Sequence, residues 1–240
     1  MARSNFYNTP NHTSVLLPGK TVADRKLVIL NDNYPSYLLS ILRDKNTGIH
    51  EFRSTMSRLG EYIAIEIINR DEYLKNSVET PLGTAEYKKP LHIDNTIIIG
   101  ILRAALPLVE GMMKVFRKAR VGFVGARRVE EDSGKGQKEF DVIMNYYNIP
   151  SIRGSELIIV ADPMLATAST MIRVLNLLKP KLNEDNKVVI ASVIAARYGV
   201  ERLFAMHPYV TLYTTAVDPI LNDNGYIVPG LGDAGDRSFG

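Results

Sequence analysis

Five runs of consecutive apolar residues alternate with segments in which apolar residues recur every three or four positions. Runs of the first kind are typical of strands buried on both faces of a sheet, and the second pattern is typical of helices with one buried stripe. Strands that alternate with helices predict an α/β fold, with a mostly parallel central sheet flanked by helices on both faces. The predicted strands are 96–101, 121–126, 157–161, 188–194 and 210–215, and the predicted helices are 34–43, 49–69, 104–116, 168–178 and 200–206.

Three segments fall outside this alternation. Residues 1–32 show no period and predict an irregular N-terminal arm. Residues 76–92 carry two prolines and a glycine among polar residues, which indicates a loop or a short hairpin. Residues 127–153 combine many charges with two glycines and one stretch that could extend as a strand, so we expect a long hairpin or flap. No other boundary is visible, and we expect residues 1–240 to form a single domain.

The composition excludes several classes of protein. A chain of 240 residues with 45% hydrophobic and 23% charged residues suits one folded domain. The absence of cysteine excludes disulfides, thiolate metal sites and a cysteine nucleophile. No apolar run approaches the ~20 residues that cross a bilayer, and residues 1–18 lack the apolar centre of a signal peptide. We therefore expect a cytoplasmic protein with no membrane partner.

Positive charge is concentrated in one part of the chain. The formal net charge is only +3, but residues 114–138 contain eight basic and three acidic side chains, a local excess of five. Such a stretch fits either a solvated face or a field that attracts a polyanionic substrate. It also leaves open a regulatory protein that binds RNA or DNA, although no nucleic-acid recognition motif is evident.

The predicted strand 157–161 leads into the segment with the clearest chemistry. An acid stands at the strand end, and three hydroxyl side chains stand where the next helix begins. The amino end of a helix can hold a phosphate dianion through free backbone N–H groups, and the acid can accept hydrogen bonds from sugar hydroxyls. A mere helix cap would explain one hydroxyl but not the whole set. The segment reads Asp162, Pro163, Met164, Leu165, Ala166, Thr167, Ala168, Ser169 and Thr170.

This segment resembles the motif with which phosphoribosyltransferases bind phosphoribosyl pyrophosphate (PRPP), with Pro163 in place of the second acid. That replacement and the following Met-Leu-Ala-Thr are similar to the uracil phosphoribosyltransferase family. Residues 225–237, which read GYIVPGLGDAGDR, are similar to the C-terminal signature of that family. Residues 101–105 and 125–131 resemble two further family segments. The four motifs occur in order between residues 96 and 240.

The resemblance implies the type I phosphoribosyltransferase fold and the reaction of uracil with PRPP to give UMP and pyrophosphate, in pyrimidine salvage. It implies that PRPP is bound by Arg103, Arg128, Asp233 and the whole segment 162–170, with the neighbouring Arg127 as the alternative to Arg128. It implies that uracil is bound by Ile227, Gly232, Asp233 and Ala234. Arg128 and Asp233 are the catalytic candidates, as a cation that stabilises the leaving pyrophosphate and as a group that helps uracil lose its N1 proton.

The same resemblance carries expectations about the metal and the partners. Mg²⁺ is expected to arrive with PRPP, because Pro163 removes a carboxylate and few direct metal ligands remain. Family members are dimers or tetramers, and some respond to GTP or CTP. The other reading is a regulatory protein of the same fold that senses PRPP and binds nucleic acid.

The chain departs from the family pattern inside the phosphate segment. Ala168 and Ser169 stand where Gly-Gly is common, and Ala105 stands where Gly is usual. If position 168 or 169 needs a positive φ, the added Cβ costs about 1 kcal/mol.

Overall fold

The structure is a computed structural model that describes residues 27–128 and 142–240. In chain order its strands are β1 (Leu27–Ile29), β2 (Tyr73–Thr80), β3 (Gly83–Pro90), β4 (Thr96–Leu102), β5 (Arg120–Arg128), β6 (Val142–Asn148), β7 (Leu157–Ala161), β8 (Met164–Leu165), β9 (Lys187–Ala191), β10 (Ile194–Ala196), β11 (Thr211–Thr214), β12 (Ala216–Asp218), β13 (Ile220–Leu221) and β14 (Ile227–Val228). Its helices are α1 (Asn33–Arg43), α2 (Ile49–Asn69), α3 (Leu106–Val115), α4 (Ser169–Leu178), α5 (Arg197–Met206) and α6 (Ala234–Phe239).

The main sheet has seven strands in the order β1-β11-β9-β7-β4-β5-β6. All neighbouring pairs are parallel except β5 and β6, which form an antiparallel hairpin. The central strands β4 and β7 are apolar at almost every position because helices cover both faces of a parallel sheet. The predicted mostly parallel α/β fold is confirmed.

Alternate residues of the central strands contribute to two separate cores. Ile98 and Ile159 join the core on one face, which is covered by α1, α2 and α3. Ile97, Ile99 and Ile158 join the core on the other face, which is covered by α4 and α5. Side chains alternate between faces along a strand, so one continuous apolar run supplies both layers. The helices on both faces are confirmed.

The predicted bounds are wrong at two places. Residues 27–29 belong to the predicted irregular arm, yet they form β1 and pair in parallel with β11. Residues 188–194 do not form one strand, because β9 ends at Ala191 and the chain continues as β10 in a second sheet of order β12-β10-β8. A three-residue strand is too short to show a period, and a single serine in an otherwise apolar run is a weak sign that the chain changes sheet. The rest of the predicted arm, residues 1–26, lies outside the described residues.

The two segments with turn residues both form hairpins. The segment predicted as a loop or short hairpin is an exposed antiparallel pair of eight-residue strands, β2 and β3. The predicted flap begins and ends in the β5–β6 pair, while its centre, residues 129–141, lies outside the described residues. Among the described residues, no helix is long and apolar enough to cross a bilayer.

Candidate functional site

The site is built at the edge of the sheet where the parallel strands end. Arg103 follows β4 directly, and Asp162 follows β7, the neighbouring strand. The C-terminal tail reaches the same edge, because Arg103 Nη2 donates a hydrogen bond to Asp236 Oδ1 at 3.2 Å. The carboxyl edge of a parallel sheet is where ligands bind in α/β folds. The structure therefore brings Arg103, the start of segment 162–170 and the tail to one edge.

The start of the 162–170 segment is fixed by the second sheet. The amide groups of Val193 and Ile194 both donate to the Pro163 carbonyl at 3.0 Å. Met164 and Leu165 form β8, which pairs with β10. Asp162 is half-buried, and its Oδ1 accepts a bond from the Met164 amide at 3.3 Å. This part of the loop is therefore anchored before any ligand arrives.

Ala168 adopts the left-handed conformation that glycine favours. Its φ is 63° and its ψ is 5°, and it is the only non-glycine residue with positive φ among residues 27–128 and 142–240. It precedes Ser169, where α4 begins. The first amide groups of an α-helix have no partner within the helix and point toward the preceding loop. Position 168 therefore has the positive φ at which alanine in place of glycine adds the cost of a Cβ.

Two of the three predicted hydroxyl groups are engaged inside the protein. Thr167 and Ser169 are buried, with 1% and 7% exposure, and Thr167 Oγ1 donates to Ser169 Oγ at 3.1 Å. Arg202 on α5 donates from Nη1 to Ser169 Oγ at 2.7 Å and to the Thr167 carbonyl at 3.0 Å. Thr170 is half-buried. These contacts make Thr167 and Ser169 part of the loop's internal support.

The tail places its predicted uracil residues on both sides of a tight turn. Ile227 is in β14 and is buried, and the peptide between Val228 and Pro229 is cis. Gly232 has a φ of 78° and lies exposed with Asp233, whereas Ala234 is buried. Asp233 caps α6, because its Oδ1 accepts a bond from the Asp236 amide at 2.9 Å. The turn thus exposes backbone at residues 232–233 while its flanks stay packed.

The structure describes the side chain of Arg103 but not the side chains of Arg127 and Arg128 in the predicted flap. Arg127 and Arg128 end β5, and their backbones are opposite Ile143 and Val142 of β6. Their side chains lie outside what is described, so the choice between Arg127 and Arg128 as the pyrophosphate contact stays a prediction. Arg103, in contrast, has a side chain that is 61% exposed and pairs with the 70% exposed side chain of Asp236. Exposed pairs contribute little to stability, so Arg103 can exchange Asp236 for an anionic ligand.

Three charged residues at this edge were missed by sequence reasoning. Arg202 supports the phosphate loop, and Arg43 and Asp218 contact the tail at Gly230. Asp218 stands three residues after the predicted strand 210–215, in the region where ligand-binding residues are expected, so a signal was available for it. Arg43 and Arg202 lie on helices far from every quoted motif, and their roles depend on tertiary contacts.

Among residues 27–128 and 142–240, no three His, Asp or Glu side chains come together as a group that could hold a metal ion. Asp162 is the one carboxylate at the start of the phosphate loop, and Pro163 follows it. Oxygen ligands suit Mg²⁺, but one carboxylate does not make a protein cage. Asp162 would therefore offer a magnesium ion at this edge a single carboxylate.

The architecture is the type I phosphoribosyltransferase fold. An adenine phosphoribosyltransferase from Leishmania tarentolae shares the fold, with a TM-score of 0.51 at 17% identity over 82% of this chain and 94% of that one. A solved protein from Aquifex aeolicus is closer, with a TM-score of 0.77 at 30% identity over 89% of this chain and 97% of that one.

Sequence comparison then defines the family. The profile described as uracil phosphoribosyltransferase matches residues 29–240. A uracil phosphoribosyltransferase from Pyrobaculum arsenaticum is 45% identical over 88% of this chain and 97% of its own length. One from Sulfurisphaera tokodaii is 44% identical over 89% of this chain and 99% of its own length. The chain belongs to the uracil phosphoribosyltransferase family.

Proposed function

We propose that this protein transfers the 5-phosphoribosyl group of PRPP to N1 of uracil, giving UMP and pyrophosphate. The observation that carries the proposal is that one sheet edge joins a phosphate-type loop at 162–170, the exposed cation Arg103 and the turn at 227–234. Membership of the uracil phosphoribosyltransferase family supports the choice of uracil as the base. The reaction is therefore a glycosyl transfer between two small substrates.

The loop and the start of α4 bind the 5-phosphoribosyl group. The backbone N–H groups at the start of this ten-residue helix attract the phosphate, and the helix dipole adds to that attraction. Asp162 accepts hydrogen bonds from the ribose hydroxyls at the end of β7. Because β8 and the Pro163 contacts fix this part of the loop, little order has to be gained on binding.

Pyrophosphate leaves as the bond from its oxygen to the anomeric carbon breaks, and it takes the electron pair. Arg103, together with Arg128 or Arg127, stabilises the negative charge that develops on the leaving oxygens. A magnesium ion carried by PRPP would supply further positive charge beside the pyrophosphate, with Asp162 as the nearby carboxylate of the loop. Asp236 releases Arg103 for this role, since their contact is exposed and 3.2 Å long.

Uracil is held by backbone groups of the tail. Its edge presents an acceptor, a donor and an acceptor at O2, N3 and O4, which backbone groups at Ile227, Gly232 and Ala234 match. Cytosine carries an amino group in place of O4, so a fixed N–H would face another donor and be left unpaired. Sites that hydrogen-bond a polar group reject analogues that cannot match it by roughly 10⁴-fold or more. The N1 lone pair forms the new bond to carbon, and Asp233 accepts the N1 proton.

The proposal includes four further features. The β5–β6 hairpin closes over PRPP, which protects the reactive carbon from water. The protein is cytoplasmic, it assembles with copies of itself as a dimer or tetramer, and GTP or CTP alters its activity.

A product assay tests the proposed function. The protein is incubated with PRPP, Mg²⁺ and, separately, uracil, cytosine, orotate, adenine, guanine or hypoxanthine, and nucleotides are separated by chromatography. We expect UMP from uracil and no nucleotide from the other bases. A purine nucleotide would mean that the tail has been misread. Binding of PRPP without any product, together with salt-dependent binding of RNA or DNA, would favour the regulatory alternative.

A further inference from the structure

The ion pair between Arg43 and Asp218 binds both the backbone amide and the backbone carbonyl of Gly230 in the tail. Arg43, at the end of α1, donates to both carboxylate oxygens of Asp218, at 2.6 and 2.8 Å. The Gly230 amide donates to Asp218 Oδ2 at 2.9 Å, and the Gly230 carbonyl accepts from Arg43 Nη1 at 2.8 Å. Gly230 is thus held by two charge-assisted hydrogen bonds, whose charged partners are themselves joined by two more, and such contacts are stronger than neutral ones.

The geometry of Gly230 leaves little freedom for another arrangement. Its φ is 62°, and a Cβ at this position would lie 2.1 Å from the Ile227 carbonyl oxygen. The chain therefore turns back on Ile227, the first predicted uracil contact, at the residue that the ion pair holds. The other two predicted backbone contacts, Gly232 and Ala234, follow within four residues.

The ion pair is anchored on both sides. Asp218 ends β12, which pairs with β10 in the second sheet, and its side chain is only 7% exposed. Arg43 ends α1, whose leucines lie in the core that α2 and α3 share. The pair therefore ties the tail to α1 and β12.

A second arginine extends this support to the next residue. Arg237 donates to the Leu231 carbonyl at 2.7 Å and to the Asp44 carbonyl at 2.5 Å, and it also contacts the Leu42 carbonyl. Its guanidinium lies over the Phe52 ring, 4.4 Å from the centroid. Arg43 thus links residue 230 to the end of α1, and Arg237 links residue 231 to the same place.

We infer that Arg43 and Asp218 are positioning residues for the uracil site, which set the backbone groups of residues 227–234 in register with the edge of the base. Neither side chain contacts substrate in this mechanism. They act through Gly230, so their loss weakens uracil binding and leaves PRPP binding at the 162–170 loop intact. This inference rests on the proposed function and adds the residues that set its base specificity.

The chain offers a matched control for this ion pair. Arg120 contacts the buried Glu156, whose side chain is 3% exposed, and donates to the Ser151 carbonyl at 2.7 Å. Arg120 begins β5, and Glu156 directly precedes β7, so this pair lies at the opposite edge of the sheet. Arg43→Lys and Arg120→Lys therefore each alter an arginine that contacts both a buried carboxylate and a backbone carbonyl, one near the tail and one far from it.

The experiment measures steady-state kinetics for the wild type, Arg43→Lys, Asp218→Asn and Arg120→Lys. We expect Arg43→Lys and Asp218→Asn to raise the KM for uracil by about 10- to 100-fold, the range of a charged hydrogen bond. The KM for PRPP should change by less than about 3-fold, and relative use of cytosine should rise, since the register of the backbone groups that reject its amino group is looser. Arg120→Lys should change neither KM.

A second measurement does not depend on activity. Hydrogen exchange of the peptide that covers residues 225–235 should be faster in Arg43→Lys and Asp218→Asn than in the wild type and Arg120→Lys. The inference is overturned if both KM values rise together, or if the KM for uracil is unchanged while wild type makes UMP. A wild type that makes no UMP would instead refute the proposed function, and the exchange data would still test the contact.

Discussion

Ala168 sets two opposing effects against each other at a single residue. The left-handed conformation costs a residue with a Cβ about 1–2 kcal/mol. Its methyl group, however, is 4% exposed and packs in the core under α4 and α5, which returns about 0.8 kcal/mol. Alanine also loses less chain entropy on folding than glycine, by about 0.4–1 kcal/mol. The sum is close to zero, which explains how alanine stands where glycine is common.

This balance predicts different outcomes for two substitutions. Ala168→Gly should change the free energy of unfolding by no more than about 1 kcal/mol, because relief of the backbone offsets the lost methyl. Ala168→Val should destabilise the protein by about 2 kcal/mol or more, since a β-branched residue is a genuine outlier at positive φ. Urea unfolding of both variants measures the difference. A tolerated valine, or a glycine variant that is stabler by several kcal/mol, would contradict the balance.

At the scale of elements, α5 packs against the 162–170 loop. Gly199, near its start, lies so close to the loop that a Cβ would be 2.2 Å from the Ala166 carbonyl oxygen. Arg202, three residues later and thus on the same face of the helix, reaches the Thr167 carbonyl and the Ser169 hydroxyl. The helix therefore meets the loop at two consecutive points, and the shape of the loop depends on how α5 is placed.

Removing this support predicts a defect in PRPP binding. Arg202→Ala leaves the buried Ser169 hydroxyl without its charged donor, which costs about 1–3 kcal/mol. We expect the KM for PRPP to rise about 10-fold, with a smaller change in the KM for uracil. Arg173→Ala is the control, because Arg173 is on the exposed face of α4. Equal effects of the two substitutions on the KM for PRPP would show that the contact is not specific.

The helices and strands also show which parts of the fold and the candidate site could be predicted from the sequence alone. Helix 49–69 and strand 157–161 have the predicted bounds, because their apolar patterns are long or fully buried. The break between β9 and β10 was missed, since the bend at Val193 is accompanied by no glycine or proline and only Ser192 interrupts the apolar run. The site motifs at 101–105, 162–170 and 225–237 could be found because each is continuous in sequence. The contact between Arg43 and Asp218 joins residues 175 positions apart, and no local pattern reports it.

Over the whole molecule, two buried groups with lowered pKa values respond to acid in different ranges. Burial by itself raises the pKa of the Asp71 carboxyl, but hydrogen bonds from the His92 backbone and ring, with the Lys187 charge, lower it overall. Burial, with the charge of Lys179, lowers the pKa of the His207 ring. Asp71 stabilises the fold above the carboxyl range and loses this effect only as pH falls through its folded pKa, well below pH 5. Of these two groups, His207 is the one that responds between pH 7 and pH 5.

His207 predicts acid destabilisation in that interval. Its folded pKa is below the unfolded value of about 6.5, so the unfolded chain binds a proton that the folded chain does not. The resulting stability is fully present above pH 6.5 and is lost as pH falls toward the folded pKa, by at most about 1.4 kcal/mol per pH unit.

The His207 ring is 1% exposed and packs edge-on against Tyr209, so His207→Leu fills similar space without titrating. We expect the unfolding free energy of this variant to depend less on pH between 7 and 5 than that of the wild type. Urea unfolding at pH 7, 6 and 5 measures both slopes, and equal slopes for wild type and His207→Leu would show that another group governs the acid response.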